Sequence, residues 1–418
     1  MKKNVWLFHS YATPPTMSGL VRPYEFSKQL KIKGYKSTVF ASAFLHYTGE
    51  NLIEDNKKYL EHLDSGVRFI FVRSSEYKDN GLFRVLNMLS FAYNLISVAK
   101  ALLQKGEKPD VIYASSPHPL TMVAGIKIAH KLKIPCICEV RDLWPDVIFS
   151  VGKVKKESIL GKILLAGEHW IYKKADALVF LKEGDIGYLK EKKWALEQGG
   201  EIDLNNCFYI NNGVDSEEFI KNIAENHFAD EDLDDGSFKV VYTGAIRTLN
   251  NVEFLLDAAK FLKKIQNIKF LIYGTGDQID LLKQKIITEG LTNVKMKGYV
   301  ARKYMPYILS KASVNILNYS QSLYNWTRGN SSNKLFEYMA SGKPIISTVK
   351  MGYCLLEKYQ CGISLEKSAP EELARAILEV YDMPQKRYDQ MCQNAQAGAK
   401  NFDYKILTAK LIEVLENV

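Results

Sequence analysis

The sequence predicts an α/β protein built of two doubly wound, Rossmann-like halves, and three observations lead there. Short runs rich in β-branched and aromatic residues recur along the chain, and several are trailed by a stretch of helical periodicity. The alternation breaks once, at a polar stretch over 215–237, and then resumes. A chain of 418 residues is also longer than one ordinary domain and fits two or three. Hydrophobic content of 47% and charged content of 25% are those of a soluble globular protein.

In order, Val5–His9 reads as the first strand, followed by a loop with Pro14, Pro15, Ser18 and Gly19 and a helix over about 21–33. Strands follow at 37–41, 67–72, 111–114, 136–140, 177–180 and 207–210. The turn Asn211-Asn212-Gly213-Val214-Asp215 leads into the polar stretch, whose acidic run at 230–235 reads as a solvated linker. The second series has strands at 239–243, 269–273, 294–297, 313–318, 344–348 and 362–364, with helices over 252–262 and 279–288. The expected domains are therefore 1–215 and 238–399, joined by 216–237, with a helix in 400–418 expected to pack back on the first. In such folds ligands bind at the carboxyl ends of the strands, so the cleft between halves is the expected site. Residues 81–103 include an uncharged run over 85–99, in which Asn87, Ser90, Asn94 and Ser97 recur at helical spacing. That is an amphipathic helix, too short in its apolar run for a membrane span.

Net charge is +9 and unevenly placed: residues 1–215 carry 30 Lys+Arg against 23 Asp+Glu, the remainder 26 against 24. A basic first half is drawn to anionic surfaces, whether nucleic acid, lipid or a phosphorylated substrate. The six cysteines form no disulfide framework and no zinc spacing; Cys136 and Cys138, two apart on one strand, read as reduced core thiols. The apolar run after Met1-Lys2-Lys3 is too short for a signal peptide, so a cytoplasmic location is expected.

The most specific stretch runs from Gly329 to Pro344. A polar loop opens a helix near Ser331 or Ser332, with Asn333, Lys334 and Leu335 in its first turn, and Gly342 and Pro344 close it. The unpaired N–H groups and positive dipole end of that turn suit a phosphate, and Lys334 adds a full charge. Glu337, one turn on, is placed to accept hydrogen bonds from vicinal hydroxyls such as those of a ribose. Gly244, at the end of a strand, allows close backbone approach, and Arg247 beyond it suits a bidentate diphosphate contact, with Asn251 in the same loop. Gly274 and Gly276 end the next strand without a third glycine, so they make no dinucleotide fingerprint. Arg141, Asp142 and Trp144, in Arg-Asp-Leu-Trp-Pro-Asp at a strand's carboxyl end, suggest a polar site with an aromatic wall. Asp230 and Asp232 lie in the acidic stretch and are not taken as a metal site.

Taken together, Ser18-Gly19, Arg-Asp-Leu-Trp-Pro-Asp (141–146), Asn-Gly-Val-Asp (212–215), Thr-Gly-Ala-Ile-Arg (243–247), Tyr-Gly-Thr-Gly (273–276), Gly-Tyr-Val (298–300) and Asn-Lys-Leu-Phe-Glu-Tyr-Met-Ala-Ser-Gly-Lys-Pro (333–344) resemble the family-4 retaining glycosyltransferases of the GT-B fold, and in particular bacterial sugar transferases of capsule and O-antigen assembly. The resemblance spans essentially the whole chain. It implies that Glu337 holds the ribose hydroxyls, Arg247 the diphosphate, Ser18 and Gly19 a loop closing over the phosphates, and Tyr299-Val300 the base. It further implies donor contacts at Gly244, Asn251, Gly274, Asn333 and Leu335. Arg22, Arg141, Trp144 and Arg328 are expected to touch acceptor or sugar, and Asp142 is a candidate base or orienting group. The loop 319–330, with Tyr324 and Trp326, is expected to set donor preference. Three positions depart from the family pattern: Gly329 stands where a first Glu is common, Asn250-Asn251 where a phosphate Lys is common, and Arg141 where a His is common.

The expected reaction is metal-independent transfer from a nucleoside-diphosphate sugar, UDP-linked with an N-acetylated amino or deoxy sugar, to a polyprenyl-linked saccharide at the anionic inner membrane surface. No cofactor is expected, since the sugar nucleotide is a substrate. A sugar-nucleotide epimerase of the same fold is the alternative. A nicotinamide-linked dehydrogenase lacks its three-glycine fingerprint here, and a nucleic-acid binder lacks an Arg-rich or aromatic stacking segment.

Overall fold

The computed structural model describes residues 2–17, 19–78, 81–150, 152–322 and 325–418, which fall into two compact units. Unit 1 comprises residues 1–211 with 404–418, and unit 2 comprises 212–403. Unit 1 is built on strands β1 (Asn4–Phe8), β2 (Lys36–Ser42), β3 (Tyr59–Asp64), β4 (Val67–Val72), β5 (Val111–Ser116), β6 (Cys136–Val140), β7 (Ala177–Phe180) and β8 (Cys207–Tyr209). They form one sheet in the order β3-β4-β2-β1-β5-β6-β7-β8, parallel except for β3. Leu7 lies opposite Val39 on one side and Tyr113 on the other. The central strands are buried on both faces, as parallel strands covered by helices must be. Cys136 and Cys138 are both buried in β6 as free thiols.

The helices of unit 1 are α1 (Arg22–Ile32), α2 (Leu82–Gln104), α3 (Pro119–Leu132), α4 (Asp146–Ser150), α5 (Ile159–Lys174) and α6 (Asp185–Glu191). α2 packs on α3 and α3 on α5. α2 turns Phe91, Leu95, Val98, Ala99 and Leu102 into the core. Its other face leaves Leu82, Phe83, Leu86, Leu89, Tyr93 and Ile96 exposed. Edge strand β3 is absent from the sequence-based expectation. Its residues are mostly polar and half-exposed, and only antiparallel pairing with β4 makes them a strand.

Unit 2 holds β9 (Phe238–Thr243), β10 (Ile268–Tyr273), β11 (Val294–Gly298), β12 (Val314–Leu317), β13 (Ile345–Ser347) and β14 (Gly362–Ser364). These form an all-parallel sheet in the order β11-β10-β9-β12-β13-β14. Val240 lies between Phe270 and Val314. Its helices are α7 (Ser216–Glu225), α8 (Glu231–Asp234), α9 (Glu253–Leu262), α10 (Ile279–Thr288), α11 (Met305–Lys311), α12 (Asn333–Ala340), α13 (Leu355–Lys358), α14 (Pro370–Tyr381) and α15 (Gln385–Lys400).

The expected linker over 216–237 is instead structured and belongs to unit 2. Asp215 and Asp230 cap α7 and α8 by accepting from the N–H groups of Glu218 and Asp232. The acidic run is tied to lysines of the sheet and of α11: Asp230 and Asp232 to Lys297 at 2.6 Å each, Asp232 to Lys269 at 3.0 Å and Asp234 to Lys311 at 2.8 Å. Val214 bonds to Phe402 and pairs with Asp403, which fixes both chain crossings nearer to 211/212 and 403/404 than the sequence placed them. The chain then re-enters unit 1 as α16 (Tyr404–Asn417), packed on α1 through an edge contact of Tyr404 with Phe26 and a hydrogen bond from Tyr35 Oη to Glu416 at 2.6 Å.

Candidate active site

The richest constellation lies at the carboxyl edge of the unit 2 sheet. Three strand ends continue as paired backbone: Gly244 N–H donates to Tyr273 O, Ile246 N–H to Thr275 O, and Gly274 N–H to Gly298 O, at 2.7–2.9 Å. Gly244 and Gly274 adopt φ of 137° and 145°, which only glycine accepts readily. A Cβ on Gly274 would come within 1.8 Å of Gly244 O, and one on Gly244 within 2.3 Å of Lys334 Nζ. The glycines therefore make a flat backbone floor with a lysine ammonium against it.

Above that floor stands α12. Its N-cap Ser332 makes no side-chain cap, because the hydroxyl is engaged by Tyr319 Oη. Ser332 N–H donates to Asn330 Oδ1 at 2.7 Å and Leu335 N–H to Ser332 O at 3.2 Å, so among the described residues it is the N–H groups of Asn333 and Lys334 that keep their capacity for a ligand. Leu335, Phe336, Tyr338 and Met339 face the core and Asn333 and Glu337 the half-exposed side, whereas Lys334, half-exposed as a residue, turns its Nζ inward against Gly244 and the Tyr242 ring. Tyr338 Oη contacts the backbone and hydroxyl of Thr243 at 3.1–3.3 Å, which ties α12 to the end of β9. Lys334 Nζ donates to Tyr242 Oη at 3.1 Å and sits 4.6 Å above that ring. Burial drives its ammonium down to about 7, against the opposing pull of Glu337. Glu337 is paired with Arg302 at 3.5 Å. The Arg247 side chain is exposed and makes no hydrogen bond or ion pair among the described residues. Tyr299 is 70% exposed beside β11, and the carbonyl of Asn251 accepts from Asn318.

Two expectations in this unit change. Leu335 is wholly buried, so only its backbone is available to a donor. Arg328, expected to touch acceptor or sugar, is 9% exposed and engaged by its surroundings. Tyr324 lies outside the described residues. Tyr242 and Arg302 were missed, and Tyr319 entered only as the start of the loop 319–330; the aromatic residue just before Thr-Gly244 was the one available signal for Tyr242.

In unit 1, Arg22 is turned into the protein. It is 2% exposed, donates to Glu139 at 2.7 Å, and gives its remaining N–H groups to the carbonyls of Ile210 and Asn211. Glu139 also accepts from Tyr113 and Ser115 at 2.5 Å each and lies 3.6 Å from Arg141. Burial opposes its ionisation, but Arg22 and Arg141 outweigh that and hold its carboxyl at about 2. The sequence showed Arg22 and Glu139 as separate polar residues because they are far apart in the chain. Asp142 is half-exposed, 3.9 Å from Lys182, and Trp144 is half-buried ahead of a cis proline peptide. Gly19 packs where a Cβ would meet the Thr13 side chain at 2.3 Å, and Ser18 lies outside the described residues.

A glycine floor, a helix N-terminus with its own lysine, an unpaired arginine and a carboxylate one turn deeper accompany matches to two related domain families. Residues 33–194 match the glycosyl transferase 4-like domain, and residues 237–383 match glycosyl transferases group 1. The chain belongs to the family-4-like glycosyltransferases of the GT-B fold. This glycosyltransferase is 21% identical over 321 residues to the probable glycosyltransferase WbjE of Pseudomonas aeruginosa, covering 75% of this chain and 76% of that one. Among solved structures it is similar to HepE of Anabaena in complex with UDP, at 15% identity and a TM-score of 0.69 with both chains fully covered. It is also similar to sucrose-phosphate synthase of Thermosynechococcus elongatus, at 15% identity and a TM-score of 0.74 over 100% and 99% of the chains. The glycosyltransferase thus has the two-domain GT-B architecture that its sequence predicts.

Proposed function

We propose that this glycosyltransferase moves a hexosyl or N-acetylhexosaminyl group from a UDP-sugar to a lipid-linked saccharide in surface-polysaccharide assembly, with retention and without a metal. The observation that carries the donor reading is the meeting of Lys334 and the first turn of α12 with the floor of Gly244 and Gly274, with Arg247 on the loop after Gly244 and Glu337 one turn deeper in the helix. The UDP and UDP-glucose complexes of HepE support the same class of donor. As the C1–O bond breaks, its electron pair passes to the β-phosphate, and Arg247, Lys334 and the helix N–H groups meet the growing charge. The sugar takes oxocarbenium character. The acceptor hydroxyl attacks from the face the diphosphate leaves, and its proton passes to the departing phosphate oxygen. Glu337 holds the ribose hydroxyls, and Asp142 orients the sugar or Arg141. Metal independence is supported by the cationic cradle, in which Lys334 stands against the backbone floor. The test is product analysis in EDTA: transfer with retained anomeric configuration is expected, and loss of activity reversed by Mg²⁺ or Mn²⁺ contradicts it.

For the acceptor, we place unit 1 at the inner membrane surface. α2 is long and apolar enough to cross a bilayer by length and composition, but its inner face belongs to the core of unit 1. Its exposed residues Leu82, Leu86, Leu89, Tyr93 and Ile96 fall at heptad-like spacing, and the helix holds no acidic residue. That pattern suits a helix lying in the plane of an anionic membrane, helped by the excess of lysine in this half.

A further inference from the structure

We infer that Lys334 stands uncharged in the empty donor site and takes up a proton when a nucleoside diphosphate binds, so that donor affinity falls as pH rises. The inference rests on the donor reading above. Lys334 Nζ is held by Tyr242 Oη at 3.1 Å, lies 4.6 Å over the Tyr242 ring and 5.3 Å from the centre of the Tyr319 ring, and abuts Gly244. No carboxylate lies within ion-pair distance of it among the described residues, since Glu337 on the same helix is paired with Arg302. The other titratable groups around it are phenols: Tyr242 at the end of β9, Tyr319 after β12 and Tyr338 on α12. Burial holds Tyr242 and Tyr338 above their ordinary range, so neither supplies an anion. The ring faces favour an ammonium, by about 0.5–2 kcal/mol, far less than a formal counter-charge in a desolvated site. The same desolvation brings Lys334 down to about 7. Arg247, on the loop after Gly244, is a second cation and cannot give up its charge. A bound diphosphate supplies the missing negative charge and raises the lysine again. The sign follows: the free amine is deprotonated above about pH 7, so binding draws a proton from solvent there, and affinity is greatest below that pH.

The test is calorimetric titration with UDP at pH 8, in two buffers of different ionisation enthalpy. The terminal phosphate of UDP titrates near pH 6, so it is fully ionised under these conditions. Close to one proton, about 0.9, should be taken up per UDP bound, and the Kd should weaken toward about tenfold per pH unit above 8 while flattening below 7. Lys334→Arg, a permanent cation, should bind UDP with no proton uptake, and Lys334→Met should bind weakly with no pH slope. UDP binding with equal observed heats in both buffers, or uptake that persists in Lys334→Arg or Lys334→Met, overturns the inference while leaving the donor site standing. UDP that fails to bind the wild-type protein at any pH overturns the donor reading itself, and the inference with it.

Discussion

Glu337 and Arg247 sit on the same side of unit 2 but should fail differently when removed. Glu337 is positioned for ground-state hydrogen bonds, so Glu337→Ala should raise the donor KM, with each lost bond to the carboxylate costing about 1.5–3 kcal/mol. Donor KM unchanged in a folded variant would refute the ribose role. The Arg247 side chain has no partner among the described residues, and its charge matters most as the diphosphate departs, so Arg247→Ala should depress kcat more than donor binding. Steady-state kinetics separates the two, and a variant keeping most of its kcat would shift the role to Lys334. Glu168 gives a stability prediction in unit 1. Burial against Tyr172 and Tyr188 pushes its carboxyl up to about 8, while the unfolded chain ionises it near 4.5. Its stabilising protonated form is therefore fully present below about pH 4.5 and erodes as pH rises through about 8. Glu168→Gln should raise the melting temperature by a few degrees at pH 8 and hardly at all at pH 4.5; an equal shift at both would show that the carboxyl stays ionised. Residues placed by one local element, such as Lys334 and Glu337 in the first turns of α12, were legible in the sequence. Arg22 was not, because its partners Glu139, Ile210 and Asn211 are distant in the chain and only the fold brings them together.

Among elements, α12 and α2 were both recognisable from periodicity and punctuation, and their ends fall within one or two residues of the expectation. β3 was invisible because an exposed edge strand has no continuous apolar run, and the acidic stretch at 230–235 was misread because its lysine partners lie on β9, β10, β11 and α11. The exposed side of α2 carries the membrane proposal, so it should be the sensitive element. Leu89→Glu combined with Tyr93→Glu places two charges at residues that are 49% and 76% exposed, where little native packing is lost. This variant should no longer sediment with anionic vesicles at low salt, yet should bind UDP as before. Sedimentation equal to wild type would remove α2 from the contact, and a wild-type protein left in the supernatant would remove the membrane.

At the scale of the molecule, the two-unit α/β plan was legible because two series of strand and helix signals flank a single interruption. The true crossings at 211/212 and 403/404 were not, since they depend on pairing between Val214 and the segment Phe402–Asp403 nearly two hundred residues away. This plan assigns donor binding to one unit, because Gly244, Arg247, Asn251, Gly274, Tyr299, Lys334 and Glu337 all belong to unit 2. The most direct test of that assignment is amide hydrogen exchange of the full chain with and without saturating UDP. Protection should concentrate at 244–251, 274–276, 298–302 and 331–338. Protection confined to unit 1, or an exchange pattern that UDP leaves unchanged, would contradict a nucleotide site at the carboxyl edge of the second sheet.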